Sequence, residues 1–187
     1  MKKYFLLTVV IGGFLSTPSF TCFAGNNPDS KLKVVIIRHG EKPENGDNLS
    51  CQGESRALQL ASVLYQKFST PDYAYVPSLG LDKSITHARM FQTLTPFAVK
   101  YNLTVNGKFK SDDYADIAKN VLKKTGTVLM VWEHSAIPPL AEKLGVKKAP
   151  PWDDNDYDSI WVITYSNGKA ELALDKEGIT PAPTCNY

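Results

Sequence analysis

The chain has little cysteine, little histidine and almost no net charge. Its 187 residues include 3 Cys and 3 His, and the formal net charge is +2. A balance this close to neutral lacks the basic footprint of a nucleic-acid-binding protein, and the sequence holds no cluster of metal-ligating residues. No internal repeat is present, and 43% hydrophobic with 21% charged residues is ordinary globular composition. We therefore expect a globular protein with no nucleic-acid partner.

The sequence also lacks a hydrophobic run long enough to cross a membrane. Tyr4–Leu15 is almost wholly apolar, but about a dozen residues falls short of the roughly 20 that a spanning helix needs. Two lysines precede this run, and a more polar stretch ending in Ala24 follows it, which is typical of a secretory signal peptide. We predict that residues 1–24 are a cleaved signal peptide, that residues 25–187 form a single domain without a membrane span, and that the mature protein is periplasmic or secreted.

Signal cleavage would leave two cysteines. Cys22 would leave with the signal peptide; its use as a lipidated residue is disfavoured by the Phe and Thr that precede it. Cys51 and Cys185 remain, and two cysteines in an oxidising compartment can pair. We favour a disulfide that anchors the Pro-rich C-terminal tail, and the alternative is two free buried thiols.

Short β-branched runs alternate with helical patterns along the chain. The runs 32–37 and 127–132 resemble buried parallel strands. Apolar residues at helical spacing follow each other around 57–68, 90–101 and 114–122, where Pro96 predicts a kink or a late helix start. This alternation predicts an α/β fold in three layers, with a mostly parallel sheet and helices on both faces.

A hairpin is expected near the C-terminus. Asn167-Gly168 separates two short strand patterns at 159–165 and 170–174, and Asn-Gly is the strongest short hairpin signal. Before it, Pro138 and Pro139 predict the start of a short helix.

Two of the three histidines directly follow predicted strands. Arg38 and His39 come immediately after the first strand, and His134 comes shortly after the later one. Because ligands of parallel α/β sheets bind beyond the carboxyl ends of the strands, we expect these three side chains to meet at one edge of the sheet.

Four segments in order resemble the motifs of the histidine phosphatase superfamily, which has the phosphoglycerate mutase-like fold. The similarity spans roughly residues 32–165 and is carried by the following residues: Arg38-His39-Gly40, then Leu49-Ser50, Gly53, Arg56-Ala57 and Leu60, then Ala88-Arg89 and Gln92-Thr93, then Val131-Trp132-Glu133-His134-Ser135. With the signal pattern, the chain resembles a small exported bacterial member. The resemblance implies a metal-independent phosphatase that needs no cofactor.

The resemblance assigns His39 as the nucleophile and Arg38, Arg89 and His134 as the groups that hold the phosphoryl oxygens. These residue types suit that chemistry, since a neutral imidazole can attack phosphorus and leave again. Planar guanidinium groups bind the oxygens bidentately, and a protonated His134 would add a donor. We expect His39 to be held in one tautomer by donation from its other nitrogen to a backbone carbonyl.

The proton donor for the leaving group stays open among four carboxylates. Known relatives carry a glutamate after the second-arginine helix, but here that segment holds only Asp112 and Asp113, which we interpret first as helix-capping residues together with Ser111. Glu133 and Glu41 lie inside the motifs, and we favour Glu133 over Glu41.

Four further residues have weaker assignments. Lys42 and Glu41 are candidate substrate-binding residues, with a solvated loop lysine as the alternative for Lys42. We interpret His87 as a loop residue and Arg56 as a charge on the helix surface.

The sequence thus predicts a phosphomonoesterase that hydrolyses a phosphorylated small molecule or an envelope sugar phosphate through a phosphohistidine intermediate. Two alternatives remain. One is a non-catalytic module that binds phosphate or a sugar phosphate, and the other is a phosphomutase. Nothing in the sequence predicts the oligomeric state.

Overall fold

The computed structural model describes residues 32–80 and 85–186, so the predicted signal peptide at 1–24 lies outside the described residues. Within this part of the chain, four helices and six strands alternate: β1 (Leu32–Arg38), α1 (Cys51–Phe68), β2 (Tyr73–Tyr75), α2 (Ala88–Tyr101), β3 (Val105–Asn106), α3 (Tyr114–Val121), β4 (Gly126–Trp132), α4 (Ile137–Lys143), β5 (Ser159–Ser166) and β6 (Lys169–Lys176). None of the helices in the described ranges has the length and apolar character to cross a membrane.

The six strands form one sheet in the order β3-β2-β4-β1-β5-β6. The first four strands in this order pair in parallel, whereas β5 runs antiparallel to both β1 and β6. The predicted α/β class is confirmed, with a sheet that is mixed because of its C-terminal hairpin. Asn167 and Gly168 form the turn of this hairpin with φ of 50° and 72°, the positive values that a two-residue turn favours.

Helices cover both faces of the sheet. Side chains alternate along β1, so that Val34 and Ile36 join the cluster beneath α3 and α4, while Val35 and Ile37 join the cluster beneath α1 and α2. All four are fully buried. Burial on both faces explains why β1 is a continuous apolar run, and it fixes the end of β1 at the centre of the sheet.

Three prolines lie within helices in the described part of the chain. Two of them are at the start of α4, and the third, Pro96, is inside α2. Pro138 and Pro139 occupy the first turn of α4, where no backbone donor is needed. The late start expected at Pro96 is wrong, because α2 already begins at Ala88 and continues past Pro96. Buried Leu94 and Phe97 on either side of the proline anchor the helix to the core.

The C-terminal tail is anchored to the start of α1. Cys51 and Cys185 form a disulfide with their Cα atoms 4.8 Å apart, which confirms the predicted pairing. The Ala182 amide donates to the Ser55 hydroxyl at 3.0 Å, and Ile179 is buried against the core. The tail therefore packs along the helix that follows the Arg38-His39 loop.

Candidate active site

His39 follows β1 directly and is 4% exposed. Its Nδ1 lies 2.7 Å from the Gly40 carbonyl oxygen, and since a carbonyl only accepts, Nδ1 must carry the proton and Nε2 the lone pair. Burial lowers the pKa of His39 to about 4, against the opposing effect of the Gly40 hydrogen bond, and the positive charges of Arg38, Arg89 and His134 lower it further. The imidazole is therefore neutral at neutral pH, as a nucleophile requires.

The loop that carries His39 touches α1 backbone to backbone. A Cβ atom on Gly40 would lie 2.7 Å from the Gly53 carbonyl oxygen, and one on Gly53 would overlap the carbonyl oxygen of Glu41. Any side chain at either position would force the loop and the helix apart. The Gly40 amide also donates to the Thr93 hydroxyl of α2 at 2.9 Å. Both helices on this face thus hold the His39 loop in place.

Arg38 ends β1 with its side chain almost completely buried beneath the loop that precedes β5. Its Nη1 donates to the carbonyl oxygens of Asp154 at 2.6 Å and Asp156 at 3.3 Å, and its Nη2 donates to the Tyr157 hydroxyl at 3.2 Å. Cζ lies 3.9 Å from the centre of the Tyr157 ring, within cation–π range. Nε is buried and has no partner among the described residues.

His134 lies two residues beyond β4, next to the same loop. Its Nε2 is 3.0 Å from Asp154 Oδ1, and its Nδ1 is buried with no partner in the described ranges. Burial and then the charge of Arg38 lower the pKa of His134; Asp154 and Glu133 oppose this, and the charge of Lys42 lowers it further. Lys42 thus contributes positive charge to the surroundings of His134.

Arg89 lies in the first turn of α2. Its Nε donates to the Asn48 carbonyl oxygen at 3.1 Å, and its Nη2 donates to the Gly46 carbonyl oxygen. Its charge contributes to the low pKa of His39. The structure thus brings Arg89 to the same edge of the sheet as the histidine.

The four predicted phosphoryl-binding residues meet at the carboxyl ends of β1 and β4. Only three buried side-chain polar atoms lack a partner in the part of the chain that the structure describes, and two of them are Arg38 Nε and His134 Nδ1. Burying such groups without a partner is costly. Arg38 Nε can donate to an anion next to the neutral His39, and His134 Nδ1 can do so when its imidazole is protonated.

Glu41 makes its side-chain contacts with Arg56 of α1. Arg56 Nε lies 3.0 Å from both carboxylate oxygens of Glu41, and Arg56 Nη2 donates to Oε1 at 2.8 Å, so both oxygens have a partner. The interpretation of Arg56 as a surface charge is wrong, because Arg56 is 4% exposed and also contacts Glu177 at 2.6 Å and Asp158 at 3.8 Å. Glu41 therefore ties the His39 loop to the interior of α1.

The Arg56 guanidinium thus contacts three carboxyl groups, of which that of Glu177 is the most buried. Its Oε1 has no partner within the described residues. Burial raises the pKa of Glu177 from its usual 4.5 to about 8; Arg56 opposes this rise, and the neighbouring carboxylates of Asp158 and Glu41 add to it. The acid form of Glu177 is therefore favoured in the folded state around neutral pH.

This shift makes stability depend on pH. Between about pH 4.5 and pH 8 the folded state retains the Glu177 proton while the unfolded state releases it, so this group reduces stability progressively as the pH rises through that window. We expect Glu177→Gln to flatten the fall in the free energy of unfolding, measured by urea denaturation from pH 5 to pH 9. The exposed Glu171→Gln is the control and should keep the wild-type slope; a wild-type slope in Glu177→Gln would contradict the assignment.

The remaining acidic candidates differ in their surroundings. The predicted capping of α3 by Ser111, Asp112 and Asp113 is not formed: Asp113 occupies the cap position without a capping bond, because its carboxylate accepts from the Lys110 amide at 3.0 Å instead. Asp112 is exposed at the helix start. Glu133 lies just past the end of β4, so strand alternation does not direct it away from His134, and its charge raises the pKa of His134.

The predicted site did not include Asp154, which contacts Arg38 and His134, or Tyr157, which contacts Arg38. The signal for them in the sequence was an Asp-rich loop at 152–158, before the last pair of strands. His87 is a loop residue as expected: its Nδ1 lies 3.0 Å from the Ser78 carbonyl oxygen, at the start of α2.

Comparisons with known proteins find similarity in structure alone. No protein-family model matches the chain, and no curated protein matches it in sequence. A protein histidine phosphatase SixA complexed with tungstate superposes with a TM-score of 0.59 at 16% identity, covering 78% of this chain and 97% of that one. A mycobacterial glucosyl-3-phosphoglycerate phosphatase with inorganic phosphate gives 0.50 at 15% identity, covering 76% and 95%. A phosphoglycerate mutase from Bacillus anthracis gives 0.51 at 15% identity, covering 78% and 93%.

The fold and the site together define an α/β protein with a histidine at the end of its central strand. The three structures are two phosphatases and a phosphoglycerate mutase, and at 15–16% identity the likeness concerns the fold. The chain has their phosphoglycerate mutase-like fold.

Proposed function

We propose that this protein is a phosphatase of the histidine phosphatase superfamily that hydrolyses a phosphomonoester of a small molecule or an envelope sugar phosphate. The observation that carries the proposal is the neutral His39, with Nε2 free for attack, beside two buried nitrogens that lack an acceptor. An anionic tetrahedral group supplies an acceptor for Arg38 Nε and, when the imidazole is protonated, for His134 Nδ1. The three phosphatase and mutase structures described above support the same class of chemistry.

The reaction proceeds in two steps that the residues at the site support. Nε2 of His39 attacks phosphorus, the N–P bond forms, and the P–O bond to the leaving group breaks. A water molecule then attacks the phosphohistidine, which releases inorganic phosphate and restores the neutral imidazole. Arg38, Arg89 and His134 stabilise the charge on the phosphoryl oxygens, which is the main requirement of phosphoryl transfer. Lys42 adds positive charge at the exposed side.

Glu133 is the proposed proton donor to the leaving oxygen. Arg56 occupies both oxygens of Glu41, and Asp113 accepts a backbone hydrogen bond. Glu133 is half-buried next to His134, and its side chain makes no hydrogen bond with the described residues. Its carboxyl group is therefore available to a substrate in contact with His134.

A substitution of Glu133 should affect poor leaving groups most. We expect Glu133→Gln to reduce kcat about 100-fold on an alkyl phosphate, whose alkoxide needs a proton, and to change kcat little on p-nitrophenyl phosphate. Steady-state kinetics on both substrates measure the difference. Glu142→Gln on α4 is the matched control and should resemble wild type on both. Equal losses of Glu133→Gln on the two substrates would argue against a proton-donor role.

Turnover of phosphomonoesters tests the function itself. The purified protein is assayed with p-nitrophenyl phosphate and a panel of sugar phosphates, with a chelator present because the proposed chemistry needs no metal. Hydrolysis supports the phosphatase. Binding of inorganic phosphate without turnover would instead indicate a binding module, and transfer that requires a bisphosphate primer would indicate a mutase.

Export to the periplasm or the medium is part of the proposal. The basic, apolar and small-residue pattern of residues 1–24 supports it, and a disulfide between Cys51 and Cys185 suits an oxidising compartment. Cell fractionation with N-terminal sequencing of the mature protein tests it; an intact Met1 in the cytoplasmic fraction would contradict it.

A further inference from the structure

Asp154 contacts two of the phosphoryl-binding residues at once, with two different groups. Its main-chain carbonyl accepts from Arg38 Nη1 at 2.6 Å, the shortest of the hydrogen bonds of that guanidinium. Its carboxylate lies 3.0 Å from His134 Nε2. Arg38 ends β1 and His134 lies two residues beyond β4, and the two are 96 residues apart in the chain. Asp154, in the loop before β5, contacts both of them.

Together with the bond from Arg38 Nη2 to Tyr157, these contacts leave one nitrogen of each side chain without a partner. With Nη1 and Nη2 of Arg38 bound to the loop, Nε remains; with Nε2 of His134 bound to the carboxylate, Nδ1 remains. Both remaining nitrogens are buried and lack partners among the described residues. The contact with Asp154 orients the His134 ring, and the contacts with Asp154, Asp156 and Tyr157 orient the Arg38 guanidinium.

We propose that Asp154 is a positioning residue: it holds Arg38 and His134 so that Arg38 Nε and His134 Nδ1 bind oxygens of the same phosphoryl group. The inference rests on the proposed function, because it assigns a role within that site. The carboxylate also favours a proton on His134, since an imidazolium can donate from Nε2 to Asp154 and from Nδ1 to the phosphoryl oxygen.

The environment of Asp154 makes it a clean probe. Its side chain is 84% exposed, so its pair with His134 contributes little to folding, and its substitution should leave the protein folded. The charged groups that face His134 are Arg38 and Lys42, which disfavour its protonation, and Asp154 and Glu133, which favour it. Removal of the Asp154 carboxylate therefore leaves Glu133 as the only acidic neighbour acting on His134 in this set.

The test compares three substitutions at Asp154 with a neighbouring control. We expect Asp154→Ala to lower kcat/KM about 10-fold and Asp154→Asn about 3-fold, because asparagine retains an acceptor for Nε2 but not the charge. Both substitutions keep the main-chain contact with Arg38, so they test the contact with His134. In Asp154→Asn the alkaline limb of the pH profile of kcat/KM should shift to lower pH by roughly one unit. Asp154→Glu keeps the charge and should restore part of the lost activity. Asp153→Asn removes the same charge from the same loop, and its amide oxygen can keep the Asn155 hydrogen bond; it should behave as wild type.

Binding of inorganic phosphate, measured by calorimetry, separates this inference from the proposed function. Phosphate should bind wild type and Asp153→Asn equally, and Asp154→Ala at least 10-fold more weakly, whether or not the protein turns over substrate. If the wild type is active and Asp154→Asn and Asp154→Ala keep its rate and pH profile, the role of Asp154 is refuted, and the proposed phosphatase function is unaffected. Equal losses in Asp153→Asn and Asp154→Asn would also overturn it. Wild type that neither binds phosphate nor hydrolyses esters would overturn both.

Discussion

His39→Ala should reduce phosphatase activity by about four orders of magnitude or more, to the level of the uncatalysed background of the assay. The substitution removes the only atom that can form the covalent intermediate, His39 Nε2, while the groups that bind the phosphoryl oxygens remain. Phosphate should therefore still bind, and the loss should fall on kcat. Because alanine is smaller and needs no hydrogen bond, the variant should fold.

His87→Ala provides the comparison, since it removes an imidazole at the start of α2 that has no assigned role in the reaction. It should retain wild-type kcat. Rapid-quench labelling of the wild type at neutral to alkaline pH should trap phosphate on His39, and this label should be missing from His39→Ala. Label on Ser135 instead, or near-normal turnover by His39→Ala, would refute the nucleophile assignment.

Reduction of the disulfide should lower the free energy of unfolding by about 4–5 kcal/mol, from the chain-entropy cost of opening so long a loop. The bridge joins residues 134 positions apart, which is most of the domain. Urea denaturation with and without reductant measures the change. The bridge does not contact Arg38, His39, Arg89 or His134, so activity at moderate temperature should change far less than stability.

A double variant, Cys51→Ser with Cys185→Ser, should match the reduced protein in stability and should not respond to reductant. A thiol count on the denatured, unreduced protein gives an independent answer. Two free thiols in protein purified from its native compartment would show that the bridge does not form there.

Much of the fold, and the position of Arg38, His39 and His134 at one edge of the sheet, could be predicted because local pattern determines them. Burial on both faces makes β1 and β4 apolar runs, and the residues after such runs must meet at the carboxyl edge. The hairpin at Asn167-Gly168 follows from backbone conformations that few residues adopt. These features depend on neighbours in the sequence, which are visible there.

The contacts that support the site could not be predicted, because they join distant segments. Arg38 meets Asp154 and Tyr157 more than 100 positions away, and no periodicity specifies such a meeting. Arg56 offered one overlooked signal: it lies four residues before Leu60, on the face that α1 buries. A charged residue on that face indicates a buried partner, although the sequence does not say that Glu41 and Glu177 are the partners.

The contact between Gly40 and Gly53 has a consequence for how a ligand is received. A loop that becomes ordered only on binding loses about 1–2 kcal/mol of backbone entropy for each residue fixed, which weakens affinity. Here the backbone around His39 is already immobilised by helix α1, so this loss occurs during folding. The nucleophile should then behave as part of a rigid receptor, with the same backbone position before and after phosphate arrives.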